Sequence, residues 1–140
     1  MSDRILFGKP SLGTAERELV AATLDSGWIG QGPLVARFEK AFAAELGAPH
    51  AVAVSSCTAA LHLSLVALGI GAGDEVITTP FTFVATLNAI EHVGARPVVV
   101  DIDRESLNLT PAAVERAITP RTRAMLPVHF GGRPLDVPGF

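Results

Sequence analysis

Residues 51–69, AVAVSSCTAALHLSLVALG, decide the fold of this chain. The first four residues, 51–54, are small and apolar, which is typical of a buried strand. Over residues 58–68 the leucines recur at helical spacing, which predicts a helix. Between them lies the short polar connection SSCT, residues 55–58. The stretch therefore predicts a strand that leads directly into the N-terminus of a helix.

Such a connection has the chemistry of a phosphate-binding site. The first backbone N–H groups of a helix have no intrahelical partner, and the helix dipole places a partial positive charge beside them. The hydroxyls of Ser55, Ser56 and Thr58 offer further donors. The same residues also fit an ordinary helix cap, because Ser and Thr are favoured there whether or not a ligand binds. The stretch has neither a Walker A loop nor Gly-x-Gly-x-x-Gly, so the residues alone leave the ligand class open.

Length and composition indicate one soluble α/β domain over residues 1–140, since 49% of the chain is hydrophobic and 18% is charged. A net charge of −3, with Lys9 and Lys40 as the only lysines, makes nucleic acid and anionic membranes unsuitable partners. The single Cys57 excludes an internal disulfide. The sequence shows no signal peptide and no apolar run of ~18 residues, so a cytoplasmic location is expected.

Two helices are predicted before residue 51. After an irregular segment to Gly13, Thr14 is expected to cap a helix that ends at Gly27. Pro33 suits the first turn of a second helix, which ends at Gly47. Its large apolar residues recur at four-residue spacing and predict a core-facing side: Leu34, Phe38, Phe42 and Leu46.

Between these helices the segment GWIGQGP places Trp28, the only tryptophan, among three glycines. The glycines favour a close approach of the backbone to another group. A plain turn with Trp28 packed in the core fits the same residues.

From residue 51 onward, short apolar runs alternate with helical patterns. Strands are predicted at residues 51–54, 75–79, 96–102 and 124–128. Helices are predicted at residues 58–68, 82–93 and 111–118, the last capped by Thr110. This alternation predicts a three-layer α/β/α fold with a mostly parallel sheet. Ligands bind at the carboxyl ends of such strands. The candidate loops are 55–58, 79–83, 101–106 and 128–133.

These loops carry few groups for catalysis. Phe81 and Phe83 either stack on a flat ring or pack in the core. Asp101 and Asp103, beside Arg104, are interpreted as part of a solvated turn rather than a metal site, because the segment has no histidine. His129 is interpreted as a packing or hydrogen-bonding residue. No catalytic triad and no metal site are predicted.

Five blocks of sequence carry a resemblance: GWIGQGP, FEKAFA, VSSCTAALHLSLVALGIGAGDEVITTPFTFVATLNAI, GARPVVVDID and AITPRTRAMLPVHFGG. From about residue 7 to residue 136, the chain resembles the N-terminal part of the DegT/DnrJ/StrS family of sugar aminotransferases. The resemblance implies the large domain of the aspartate aminotransferase type (fold type I), which binds pyridoxal phosphate. It also implies amino transfer, usually from glutamate, to a nucleotide-linked keto-sugar for cell-surface polysaccharide or secondary-metabolite sugars. A homodimer with the site at the subunit interface is expected.

The resemblance also assigns residues to the site. The cofactor-binding residues it implies are Ser56, Cys57 and Thr58 at the phosphate and Phe83 on the pyridine ring. The substrate-binding residues it implies are Trp28, Ile29 and Gly30. Cys57 stands where other members have glycine, which has no cost if only its N–H is used.

The chain departs from the family at its end. The family's Asp for the pyridine nitrogen and its Schiff-base Lys follow the VHxxG block, and neither occurs before Phe140. The family's C-terminal domain is absent as well. These departures predict a truncated chain or the product of a fragmentary gene, inactive alone. Two alternatives stay open: a sugar dehydratase of the same family, which has His in place of the Lys, and a non-catalytic ligand-binding or interaction fragment.

Overall fold

The computed structural model describes residues 8–140. They form two compact units, one ending at Ala53 and the other spanning Val54–Phe140. The predicted irregular N-terminal segment lies partly outside the described residues, and its described part, residues 8–13, contains no helix or strand. All four candidate loops belong to the second unit.

The first unit contains helices α1, Thr14–Asp25, and α2, Pro33–Glu45. Both helices were predicted, but the residue that caps α1 is Gly13 rather than Thr14. The Gly13 N–H donates to Glu16 Oε2 at 2.6 Å. This bond lowers the pKa of Glu16 and replaces the expected hydroxyl cap.

The apolar side of α2 is not a core face, contrary to the prediction. Phe38, Phe42 and Leu46 are 56%, 48% and 64% exposed, and Leu34 is half-buried. Ala43 is the one residue of α2 that is buried. Helical spacing identifies which side of a helix is apolar, but it does not identify what covers that side.

The second unit is an alternating α/β structure. Its helices are α3, Cys57–Ala67, α4, Ala85–His92, and α5, Pro111–Ala117. Its strands are β1, Glu75–Thr78, β2, Arg96–Val99, and β3, Thr122–Met125. Short 3-10 helices follow at Phe130–Gly132 and Val137–Gly139. The strands lie in the order β2-β1-β3 and all pair in parallel, as predicted.

The predicted strand at residues 51–54 does not form in the described chain. The Ala53 N–H donates to a side chain, Glu39 Oε1, at 2.8 Å. An apolar run becomes a strand only when a neighbouring strand supplies hydrogen-bond partners, and none pairs with it within residues 8–140. The run at 124–128 is shifted as well, because Pro127 has no N–H to donate and the ladder ends at Leu126.

Side chains of β1 alternate between two cores. Val76 packs with Leu65 of α3 and with Ala89 and Ile90 of α4. Ile77, the next residue, points to the opposite face and packs with Val114 of α5. Helices therefore cover both faces of β1, and the predicted three-layer arrangement is confirmed.

At the amino end of β1, the buried Glu75 is held by several partners. Arg121 Nη2 and Nε donate to Glu75 Oε1 at 2.7 and 3.1 Å, and the Thr119 hydroxyl donates to Oε2 at 2.6 Å. Arg96 Nη1 lies 3.4 Å from Oε1. The hydrogen bond from Thr119, followed by those from Arg121, lowers the pKa of Glu75. This cluster joins β1, β2 and the residues directly before β3, at the end of the sheet opposite the candidate loops.

None of the helices in residues 8–140 combines the length and the apolar character needed to cross a membrane.

Candidate active site

The candidate site lies at the carboxyl ends of the strands. After β1 the chain continues into α4 on one face of the sheet, and after β2 it continues into α5 on the other face. The two loops therefore leave the sheet on opposite faces, and in sheets of this kind ligands bind at the point where the loops diverge. Two bonds hold the strand ends together beneath it: Val100 N–H donates to Thr78 O, and the Thr78 hydroxyl donates to Leu126 O, each at 2.8 Å.

Ser56 caps α3. Its Oγ accepts a hydrogen bond from the Ala59 N–H at 3.1 Å, and its carbonyl accepts one from the Ala60 N–H at 3.0 Å. Within the described chain, no acceptor is bonded to the N–H groups of Ser56, Cys57 and Thr58, or to the Thr58 hydroxyl. The interpretation as a helix cap is therefore confirmed for Ser56, and three successive N–H groups stay available for an anion.

The direction of α3 places this N-terminus at the carboxyl edge of the sheet. Residues 68–74 turn from the end of α3 into the start of β1, where the Gly71 N–H bonds to Asp74 Oδ2 at 3.0 Å. The end of α3 is therefore beside the amino edge. Eleven helical residues extend about 16 Å, similar to the length of a short strand. The free N–H groups accordingly lie at the same edge as the loops after β1 and β3.

Phe83 lies in the loop after β1, and its side chain is 78% exposed. The predicted helix over residues 82–93 begins only at Ala85, so Phe83 precedes it. Its carbonyl accepts a hydrogen bond from the Thr86 N–H at 3.0 Å. Since Phe83 is exposed, it is not a core residue, and an aromatic face is available at the ligand edge.

The loop after β2 is an exposed turn stabilised by its own acids. Asp103 Oδ1 accepts hydrogen bonds from Ser106 N–H and Oγ–H at 2.8 and 2.9 Å and from Glu105 N–H at 3.1 Å. These bonds, that from the Ser106 N–H first, lower the pKa of Asp103. Asp101 bonds to the N–H of its neighbour Ile102 at 2.8 Å. Residues 8–140 contain no group of three or more His, Cys, Asp or Glu side chains arranged to hold a metal ion.

His129 stabilises the loop after β3. Its Nδ1 accepts a hydrogen bond from the Leu135 N–H at 2.9 Å, which confirms the prediction of a hydrogen-bonding role. Gly131 and Gly132, which follow, have φ of 60° and 80°, a conformation that other residues rarely adopt. The VHFGG block is therefore a tight turn closed by its histidine.

Sequence reasoning missed two contacts of these loops. The rings of Phe81 and Phe130 stack with centroids 3.9 Å apart and planes inclined by 29°, which joins the loops after β1 and β3. The buried Asn108 donates from Nδ2 to the carbonyls of Arg133 and Pro134, at 3.2 and 3.1 Å. The only signal for the first was that each phenylalanine follows a strand by a few residues. No signal in the sequence indicated the second.

Trp28, Ile29 and Gly30 belong to the first unit. Trp28 and Ile29 are 60% and 76% exposed, so Trp28 is not a core residue. The close approach that the glycines suggested is made by the Trp28 ring itself, because a Cβ at Gly32 would lie 2.7 Å from Trp28 Cε3. The ring and helices α1 and α2 line an open cavity of about 260 Å³.

Comparison of the sequence with known proteins identifies a family and a close relative in sequence. The model of the DegT/DnrJ/EryC1/StrS aminotransferase family matches residues 10–139. The spore coat polysaccharide biosynthesis protein SpsC of Bacillus subtilis is 56% identical over 131 residues, which are 94% of this chain and 34% of SpsC.

Solved structures agree in sequence and in fold. DesV of S. venezuelae, solved in complex with a ketimine intermediate, is 47% identical with a TM-score of 0.84, over 89% of this chain and 34% of DesV. Spr1654 of Streptococcus pneumoniae, solved in its pyridoxal phosphate form, is 39% identical with a TM-score of 0.89, over 94% of this chain and 34% of that protein.

This chain therefore spans about a third of the length of these relatives. Its three-layer fold is that of pyridoxal phosphate aminotransferases, and pyridoxal phosphate is the cofactor that its relatives indicate. The chain belongs to the DegT/DnrJ/EryC1/StrS aminotransferase family.

Proposed function

We propose that the chain is the N-terminal portion of an enzyme that transfers an amino group, from glutamate, to a nucleotide-linked keto-sugar. The products would serve cell-surface polysaccharide or secondary-metabolite sugar biosynthesis. SpsC, named for spore coat polysaccharide biosynthesis, supports the first of these routes. The cytoplasmic location stays a prediction from the sequence.

The observation that carries the proposal is the row of three free N–H groups at the start of α3. They lie at the N-terminus of α3, where the helix dipole favours an anion. The Thr58 hydroxyl beside them has no other partner among residues 8–140. Ser56 fixes the helix start through Ala59 at 3.1 Å. This donor set suits the phosphate dianion of pyridoxal phosphate, and it makes no demand on the thiol of the exposed Cys57.

Phe83 completes the cofactor side of the proposed site. Its exposed ring follows β1 at the same edge and offers a flat face to the pyridine ring. When bound, pyridoxal phosphate supplies the electron sink that amino transfer requires. The residues of this chain hold the phosphate, orient the ring plane and thereby fix the direction in which the reactive carbon faces.

The substrate side is proposed on fewer observations. Trp28 and Ile29 are exposed beside Gly30, as residues that contact a sugar would be. We place this segment at the sugar and propose a homodimer whose partner helps to complete the site. A full-length gene product that is monomeric at micromolar concentration while fully active would contradict the dimer.

Replacement of Thr58 tests the phosphate site. In the full-length gene product, Thr58→Val removes one hydrogen bond to a charged group, worth about 1.5 to 3 kcal/mol, so cofactor affinity should fall roughly ten- to a hundredfold. Titration with pyridoxamine phosphate, which forms no bond to lysine, measures the effect. Thr23→Val in α1 is the matched control, because it makes the same change at a threonine whose hydroxyl bonds within its own helix, to Leu19 O at 2.7 Å. Equal cofactor affinities in wild type and Thr58→Val would show that the phosphate binds at another place.

The reaction itself is tested with glutamate and a nucleotide-linked keto-sugar. An aminotransferase should yield one 2-oxoglutarate for each amino sugar formed. Loss of a sugar hydroxyl with no 2-oxoglutarate would instead identify the dehydratase alternative. A gene product that binds the cofactor but produces neither compound would leave the ligand-binding alternative.

A further inference from the structure

We propose that the stacked pair Phe81 and Phe130 is a positioning device that holds the Phe83 loop in place against the cofactor ring. The pair joins two loops that leave different strands, and its centroid separation of 3.9 Å leaves no room for water between the rings. The inference rests on the proposed cofactor site. It adds two residues that contact neither phosphate nor substrate in that proposal.

Each partner of the stack is fixed by its own turn. The Phe81 N–H donates to Thr79 Oγ1 at 3.1 Å, directly after β1. The Phe130 carbonyl accepts from the Arg133 N–H at 3.0 Å, within the turn that His129 closes. The stack therefore connects two locally ordered turns rather than two free side chains.

Phe83 needs such support because its own exposed side chain is held by little packing. It is 78% exposed, and it lies two residues after Phe81 in a loop that becomes helical only at Ala85. A ring that orients a cofactor must be held by its surroundings to within a fraction of an ångström. The hydroxyl contact between Thr82 and Thr86, at 2.8 Å, restrains the helix side of the loop. The Phe81–Phe130 stack restrains the opposite side.

A second phenylalanine pair within residues 8–140 provides a contrast. Phe38 and Phe42 lie four residues apart on α2, with centroids 5.7 Å apart. Helical spacing alone brings them together, so their contact fixes no loop. Phe38→Leu is therefore a matched control for the loss of one ring from an aromatic pair.

The test separates orientation of the ring from binding of the phosphate. In the full-length gene product, the affinity for pyridoxamine phosphate is measured directly, and that for inorganic phosphate is measured by competition. We expect Phe81→Leu and Phe130→Leu each to weaken pyridoxamine phosphate about five- to tenfold and to reduce the circular dichroism per bound cofactor. Inorganic phosphate should change less than about twofold, and the double variant should resemble either single one, because both remove the same contact.

Rescue and control variants complete the design. Phe130→Tyr keeps the ring and should restore the affinity and the circular dichroism, while Phe38→Leu should change neither. If a leucine variant does not fold, Phe130→Met, whose flexible side chain fills irregular gaps, is measured in its place. Unchanged pyridoxamine phosphate affinity, or an equal loss for both ligands, would overturn the positioning role. A wild type that binds no pyridoxamine phosphate would overturn the proposed function instead.

Discussion

At the scale of single residues, Glu75 places a charged carboxylate in the interior of the protein. Its side chain is 2% exposed, yet it stays charged because Thr119 and two arginines surround it. Both arginines are largely exposed, 61% for Arg121 and 71% for Arg96, so the carboxylate is the buried member of each pair. A buried carboxylate without its hydrogen-bond donors would lower the stability of the fold. The cluster therefore stabilises the folded chain.

Glu75 predicts a specific dependence of stability on pH. Because folding lowers its pKa below the ordinary value of 4.5, the carboxylate contributes stability above that value, and the contribution is lost as pH falls through the lower, folded-state pKa. Glu75→Gln should therefore lower the melting temperature at pH 7, and the gap to wild type should narrow towards about pH 3. Thermal melts of the two proteins across this range measure the effect. The exposed Glu91→Gln is the control, and an identical gap at every pH would contradict the assignment.

Residue types predicted hydrogen bonds between neighbouring residues better than they predicted contacts between distant ones. Thr110 was predicted to cap α5, and its side chain accepts from the Ala113 N–H at 3.3 Å. Such a bond depends on three neighbouring residues, so the sequence contains it. The contact between Phe81 and Phe130 depends on which strands become neighbours, and no local pattern records that order.

At the scale of elements, the helices differ in how they are anchored. No residue of α1 is buried, whereas α4 buries Thr86, Ala89 and Ile90. Helices of this length gain most of their stability from packing of an apolar side rather than from intrinsic propensity. Helix α1 is therefore expected to open far more readily than α4.

Hydrogen exchange of the purified 140-residue chain tests this expectation. Amides of α1 should exchange at least about a hundredfold faster than those of α4, because local opening spans the range from almost no free energy to that of global unfolding. Helix α2, with Ala43 alone buried, should be intermediate. Equal protection of α1 and α4 would contradict the difference in anchoring. The same measurement on the full-length gene product would show whether further chain covers α1.

Elements were predicted well where the partner is local and poorly where it is distant. The helices α3, α4 and α5 were each found within a few residues of their predicted bounds, since helical bonds close within one turn. The run at 51–54 has the composition of a strand, but a strand also needs a partner, and none is present in residues 8–140. The apolar side of α2 was misassigned for the same reason.

At the scale of the whole molecule, the lysines limit what the chain can do. Lys9 and Lys40 are the only two. Lys9 precedes α1, and Lys40 is exposed on α2, so neither follows a strand of the sheet. Covalent attachment of pyridoxal phosphate requires a lysine amine at the cofactor aldehyde. We expect the 140-residue chain alone to be inactive in amino transfer.

Borohydride reduction followed by mass spectrometry checks this expectation. After incubation with pyridoxal phosphate, the chain should show no single modified lysine, and with glutamate and a keto-sugar nucleotide it should release no 2-oxoglutarate. The full-length gene product, treated in the same way, is the control. Modification of one defined lysine together with turnover would show that the chain is sufficient by itself.

The strand order β2-β1-β3 also has a consequence for the timing of folding. Arg96 follows Glu75 by 21 residues, whereas Arg121 follows it by 46. As the chain emerges from the ribosome, β1 can pair with β2 while the other edge of β1 is still unpaired. Closing the longer loop costs more entropy, so β3 is expected to arrive last. Until it does, Glu75 is expected to stay hydrated, and the docking of β3 is expected to expel that water.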